Sequence, residues 1–441
     1  MISRYDAYKD SGVEWIGEIP EHWEVIALKH IVATKITDGP HITPEFIEEG
    51  IPFLSVESVQ ENMLNIDKMR GYISEEKHLE YSVKSRPQRN DILFVKSGST
   101  TGKSAMVLTD AEFSIWSPLC IIRSDENKAT AKFVFCAIQS FYFRRLVEVG
   151  WSFGTQPNIG MGVIENLAIV VPPINEQTQI VSYLDEKTAL IDNLISVKQR
   201  KIELLRGKRT ALINQAVTKG LNPNAKMKDS GIEWIGEIPE HWVVKKMKYV
   251  SSIVYGISPP DTTYNSDGIG TVLVNGPVEY SESDFGETRS LKWTTAPVKF
   301  AKKGSLLFCL RGSTTGRMNI THMDLSIGRG VCSINSNENQ WFLIYSMLMV
   351  RIWIQEQISG STFPSVTKDD VDNFSICSPP ITEQTQIVSY LDEKTKEIDD
   401  LLNLEQKKID LLKEYRQSLI SEVVTGKTKV VNELLNEFDE D

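Results

Sequence analysis

Cysteine is sparse in this 441-residue chain: Cys120, Cys136, Cys309, Cys332 and Cys377 are odd in number, scattered, and form no C-x-x-C pair. That spacing excludes a disulfide framework and a cysteine-based zinc or redox centre, and buried, reduced thiols are expected. Histidine is equally scarce, with six residues and no metal-binding pair among them. No apolar run approaches the roughly 18 residues that span a bilayer, and Met1 to Asp10 lacks a signal-peptide core, so a cytoplasmic protein without a membrane partner is expected. An excess of basic residues is missing too. The net charge of -11 counts against a protein that coats nucleic acid indiscriminately, because phosphate affinity comes from Lys and Arg. Part of the acid is concentrated in Glu433, Glu437, Asp439, Glu440 and Asp441, which leaves room for a local basic groove.

Catalytic signatures are absent as well. Gly98 to Ser104, GSTTGKS, has three residues between its glycines where a P-loop needs four, and the second occurrence ends in Arg317-Met318. Val171-Pro172-Pro173-Ile174 and Ser258-Pro259-Pro260-Asp261 both have the wrong residue before the prolines for an adenine methyltransferase tetrapeptide, and no glycine-rich cofactor loop follows a strand. Glu75 and Lys77 have a nuclease-like E-x-K spacing, without a counterpart in the second half. The chain is expected to be non-catalytic and to hold no cofactor or metal.

What is present is a tandem duplication. Asp10 to Val25, DSGVEWIGEIPEHWEV, returns as Asp229 to Val244 with two changes, and Pro172 to Thr188, PPINEQTQIVSYLDEKT, returns as Pro379 to Thr395 with one. His22 and His241 belong to this repeated frame and are expected to be structural. Between the frames the sequence diverges almost completely, apart from two islands: GSTTGK at Gly98 against GSTTGR at Gly312, and Gly154-Thr-Gln-Pro-Asn-Ile against Ser361-Thr-Phe-Pro-Ser-Val. A constant frame with two different inserts suits a protein that reads two different half-sites.

Each second frame leads into a proline-free helical stretch, Asn175 to Lys219 and Thr382 to Thr425. Heptad seams can be written through Val181, Thr188, Ile195 and Ile202 with Leu184, Ile191, Leu205 and Leu212, and through Val388, Thr395, Leu402, Ile409 and Val423 with Leu391, Ile398, Leu412 and Leu419, with Lys198 and Glu405 as interruptions. At 1.5 Å per residue each helix runs on the order of 60 Å, which predicts an antiparallel coiled coil between two globular units. Gly220 and Gly426 mark the helix ends. The interiors mix strand-like runs (Ile92 to Lys96, Ala168 to Val171, Thr271 to Val274, Leu306 to Leu310) with amphipathic stretches (Ala131 to Val149, Gln340 to Ile358), giving an α/β or α+β class.

The frames EWIGEIPEHW and PPxxEQTQIVSYLDEKT, the latter running into KIELLxxxRxxLI, resemble the specificity subunits of type I restriction-modification systems, over the whole chain and twice. The resemblance implies two globular target-recognition domains joined by two long antiparallel coiled-coil helices, an internal pseudo-two-fold repeat. The expected layout is domain 1 at 1-174, first long helix at 175-220, linker at 221-228, domain 2 at 229-381, second long helix at 382-427 and acidic tail at 428-441. It further implies double-stranded DNA as ligand, with two modification subunits bringing S-adenosylmethionine and two restriction subunits bringing ATP and Mg. A coiled-coil protein-binding scaffold without DNA recognition is the alternative.

Contacts inside the variable interiors must be argued locally. Base edges are read by Arg, Lys, Asn and Gln, while hydroxyls and amides hold phosphates. The candidates are Lys35, Lys96, Ser99, Thr100, Lys103, Gln156 and Asn158 in the first half, and Tyr255, Arg289, Lys292, Arg311, Ser313, Thr314, Arg317 and Ser365 in the second.

Overall fold

A computed structural model describes residues 4–60, 62–151, 157–283, 285–312, 314–358 and 365–430. Two compact units divide the chain, one within Met1–Gln199 and Gln406–Asp441, the other Arg200–Glu405. The division falls inside the long helices, Ile174–Lys219 and Ile381–Val424, so each unit takes a part of both.

In the first unit, a four-stranded antiparallel sheet has the order Ser104–Met106, Ile92–Val95, Leu119–Ile122, Thr37–Asp38. Beside it a three-stranded sheet pairs Ser114–Ile115 in parallel with Ile51–Leu54, which pairs antiparallel with Gly71–Ile73. Period-2 alternation explains why Ile92–Val95 is buried on both faces. Leu93 and Val95 join Leu54, Val107, Ile115 and Leu119 in one apolar cluster, while Phe94 meets Phe143 edge-on at 6.3 Å.

The second unit repeats the four-stranded order and the parallel pair on unrelated residues, although its second sheet has five strands where the first unit's has three. Its four-stranded sheet runs Ser251–Tyr255, Val331–Ser336, Leu306–Cys309, Met318–Ile320, and its second sheet holds the parallel pair Thr271–Val274 with Leu325–Ile327. Leu307 and Cys309 face Val272, Val274 and Ile327, whereas Leu306 and Phe308 face the cluster around Phe342, Met347 and Phe374.

Of the expected elements, Gln340–Ile358 is one helix, and the strands Ala168–Val171 and Thr271–Val274 have the expected bounds. The stretch Ala131 to Val149 is not one helix. Ser140 is extended (ψ 158°), ends Ala131–Gln139, and caps Phe141–Val149 by accepting from the Phe143 amide at 3.4 Å. A serine favours this capping geometry over a helix interior. Glu75 and Lys77 lie in the first turn of the helix Glu75–Ser82, where Lys77 pairs with Glu80 at 2.6 Å.

The heptad seams are buried at Val181, Leu184, Ile191, Ile195 and Ile202, and at Val388, Leu391, Thr395, Ile398, Ile409, Leu419 and Val423, while Thr188, Leu205, Leu212, Leu402 and Leu412 are half-buried. Beyond Ile202 the burial moves to Ile213, Ala216 and Val217, which enter the globular core of the second unit. In that unit Lys201 meets Glu405 at 2.9 Å and Arg209 meets Asp399 at 2.9 Å, so the numbering rises along one helix as it falls along the other and the pair is antiparallel. In the first unit Arg416 meets Asp192 at 3.0 Å. Gly220 (φ +71°) and Gly426 (φ +73°) follow the helices in the left-handed region that favours glycine at a helix C-terminus.

Candidate nucleic-acid interface

Each unit carries the same hairpin, and the GSTTG island forms its turn. In the first unit the Gly102 amide donates to Val95 O at 2.8 Å, Lys103 N to Thr100 O at 3.1 Å, and Thr101 Oγ1 to Gly98 O at 2.7 Å. In the second, Gly316 N donates to Cys309 O at 2.9 Å, Arg317 N to Thr314 O at 3.0 Å, and Thr315 Oγ1 to Gly312 O at 2.8 Å. Amides spent inside the turn do not form a phosphate cradle, which agrees with the failed P-loop spacing.

The second island docks beside this turn. Gly98 N donates to Pro157 O at 3.0 Å, Ile159 N to Lys96 O at 2.8 Å, and Val366 N to Leu310 O at 2.9 Å, while Ser97 bridges Asn158 and Arg311 bridges Ser365. Two segments far apart in sequence, bridged at Ser97 and Asn158 in the first unit and at Arg311 and Ser365 in the second, therefore present one surface in each: Ser99, Lys103 and Asn158 exposed in the first, Arg311 and Ser365 exposed in the second. Thr100 turns its hydroxyl inward, and Thr314 is half-buried with Oγ1 at 3.7 Å from Cys309 Sγ. Gln156 and Ser313 lie outside the described residues.

The other candidates are held more tightly by the protein itself. Lys96 has a 12% exposed side chain and reaches Asp38 at 3.2 Å. Lys84 and His41 contact the same carboxylate. Burial alone would raise the pKa of Asp38, but the hydrogen bonds from Lys84 and Lys96 outweigh it and hold the group below the ordinary aspartate value. Tyr255 donates to Asp372 Oδ1 at 2.7 Å, Arg289 to Tyr280 O at 2.8 Å, and Arg317 to Ser281 O at 3.0 Å. Lys292 lies 3.8 Å from Glu279 with its ammonium 5.6 Å from the Tyr264 ring centre. Lys35 is exposed just before the strand Thr37–Asp38, apart from the hairpin.

Residues not singled out from sequence complete the loop end of the first unit. Trp116 and Arg70 flank the strand Ile51–Leu54: Trp116 N donates to Leu54 O at 2.9 Å and Arg70 N to Phe53 O at 2.9 Å. The Arg70 guanidinium lies 4.4 Å from the Trp116 ring centre and donates to Glu57 at 3.0 Å. No local spacing connects these residues, so their pairing has no signature in the sequence.

The repeated frames serve another purpose. Trp23 and Trp242 are fully buried, and their indole N–H groups donate to Glu176 at 3.1 Å and Glu383 at 3.0 Å, in the first turns of the long helices. His22 and His241 reach the same carboxylates at 2.6 Å and 2.7 Å, so both histidines are part of the frame. Tyr5 adds a donor to Glu176 at 2.9 Å. Burial would raise Glu176, but the bonds from His22, Tyr5 and Trp23 hold its carboxyl below the usual range. Among the described residues no group of His, Cys, Asp and Glu could hold a metal ion, and no helix is long and apolar enough to cross a membrane.

Two similar loop clusters stand on one repeated frame. A family model described as the type I restriction modification DNA specificity domain matches residues 20–205 and again 239–414, and the chain belongs to that family. It is accordingly a DNA-binding, non-catalytic subunit of the restriction-modification class, with an α+β fold of two units and long helices. The putative type I restriction enzyme MjaX specificity subunit of Methanocaldococcus jannaschii is 29% identical over 442 residues, covering 98% of this chain and 100% of the relative. The MjaVIII specificity subunit of the same organism is 24% identical, over 94% of this chain and 95% of its own. A solved chain from work on complex assembly and conformational transition of the type I R-M system has a TM-score of 0.71 at 19% identity, covering 92% of this chain and 99% of that one, and shares the fold.

Proposed function

We propose that this chain reads a bipartite, asymmetric DNA site, one half by residues 1–174 and the other by 229–381, and docks modification and restriction subunits of a type I complex, two of each. The observation that carries this reading is the duplicated loop cluster. Hairpin, docked island and strand crossover recur with the same backbone bonds, while the side chains they present differ between units. A fixed frame with different surface chemistry gives two readers of different sequences. Methyl transfer and cleavage then belong to partners that bring S-adenosylmethionine, ATP and Mg, and the whole complex works where the DNA is, in the cytoplasm.

The test is to express the chain with a modification subunit in a methylation-free host and to map methylated adenines. A split motif with a fixed spacer, changing in one half only when residues 50–150 are exchanged with those of another relative, is the expected result. An unmethylated genome despite a soluble complex sinks the reading and favours a scaffold without DNA recognition.

A further inference from the structure

We propose that Arg70 on Trp116, and Lys292 on Tyr264, are counterpart base-reading residues, one for each half of the site; this rests on the reading of the chain as a two-part DNA reader. The two cations occupy neighbouring places on the same scaffold. Phe53 and Leu273 are equivalent, since each lies opposite a serine in the parallel pair, Ser114 or Ser326. Arg70 N donates to Phe53 O at 2.9 Å and precedes Gly71, the register partner of Phe53, whereas Leu273 N donates to Lys292 O at 2.8 Å and Trp293 partners Val272, so the two cations stand one position apart on the neighbouring strand. Each cation therefore leaves the antiparallel neighbour of the crossover strand at its loop end.

Each cation is also held the same way. Arg70 has an aromatic face beneath it at 4.4 Å and Glu57 beside it at 3.0 Å; Lys292 has Tyr264 at 5.6 Å and Glu279 at 3.8 Å. Both side chains remain 39% exposed. A ring and a carboxylate restrict a long side chain before any ligand arrives, which lowers the entropy lost on binding. Among the described residues the one side-chain hydrogen bond of Arg70 leaves from Nη2 to Glu57, so four of its five N–H donors stay available. A planar fork fixed in this way matches the O6 and N7 acceptors of guanine. Lys292 offers a point charge in place of the fork, and Tyr264 a smaller ring than Trp116, so the two halves read different bases from adjacent positions of one strand in the fold.

The experiment maps methylation by the complex of this chain with its modification subunit, for wild type, Arg70→Ala, Arg70→Lys and Lys292→Ala. Arg70→Ala is expected to leave the second half-motif and the spacer unchanged and to relax one guanine position in the first half. Discrimination there should fall on the order of ten- to hundred-fold. Lys292→Ala is expected to relax a position in the second half only. Arg70→Lys keeps a cation on the indole but loses the fork, so it should relax the same position as Arg70→Ala; it decides the matter if the alanine variant does not fold. A uniform loss of methylation at all sites, or a variant motif identical to wild type, overturns the assignment while leaving the two-part reader intact. Absence of any split motif in the wild type removes both.

Discussion

Trp23 donates its indole N–H to Glu176 at 3.1 Å across 153 residues of chain, and Trp242 does the same to Glu383 at 3.0 Å across 141. The two frames that recur almost unchanged in the sequence are therefore the two sides of one clamp, which ties the entry of each globular unit to the start of a long helix. Replacing Trp23 by Phe keeps most of the apolar bulk and removes one donor. We expect a loss of about 1.5–3 kcal/mol of stability, the range for one hydrogen bond to a charged group, with Tyr5 and His22 still in contact with Glu176. Urea unfolding checks it. A Glu176→Gln variant should lose more than Glu383→Gln, because Tyr5 also donates to Glu176.

Stability should fall on the acid side of the ordinary carboxylate range. Glu176 and Asp38 both titrate below their unfolded values, each despite burial and because of the donors around it. Their contribution is complete above the unfolded pKa, about 4, and is lost as pH falls through the folded values. Asp38→Asn is expected to lower stability at neutral pH and to flatten the urea midpoint against pH below about 4, where the wild type loses this contribution. A midpoint profile parallel to wild type would contradict this.

The helix pair contains an uneven ion pair: Glu405 is 2% exposed while Lys201 is 52% exposed. Removing the lysine takes one charge partner from a carboxylate that is almost fully buried, whereas removing the carboxylate frees a lysine that already reaches water. Lys201→Ala is expected to cost about 1–3 kcal/mol, below the usual figure for breaking a fully buried pair because of that exposure. Glu405→Leu should be near neutral or stabilising. Thermal unfolding of the two variants side by side reads the asymmetry.

Gly426 closes the second helix against the first frame. A side chain there would bring Cβ to 2.4 Å from Pro20 Cδ and 3.0 Å from the Trp23 ring, at a φ of +73°. Gly220 makes the corresponding approach to Trp242 more loosely, at 3.1 Å. Gly426→Ala is therefore expected to destabilise more than Gly220→Ala, the first by upwards of about 1 kcal/mol. Differential scanning calorimetry that ranked them the other way would refute the packing account.

The frames and helices were legible because repetition and heptads are local and periodic. Val181, Leu184, Ile191 and Ile195 announce their burial by spacing alone. The two islands around Gly98 and Pro157 were visible too, although nothing in the sequence showed that they bond to each other. Side-chain engagement was not legible: Tyr255, Arg289 and Arg317 have the chemistry of readers, yet their polar atoms bond to Asp372, Tyr280 O and Ser281 O. Arg70 and Trp116 escaped for the converse reason, since a cation placed on a ring 46 residues away follows from strand pairing and leaves no pattern. The break at Ser140 was hidden because the apolar period continues through it and only the capping bond reveals the change of direction.

The unit that opens the sequence also contains residues from its far end, with Tyr8 donating to Gly426 O at 3.0 Å, whereas Arg200–Glu405 is continuous. Order of synthesis and order of completion therefore differ. On the ribosome the continuous unit has all its residues while the opening one still waits for its closing helix, so the nascent chain holds its first unit unfinished until Gln406 and the residues after it have been made.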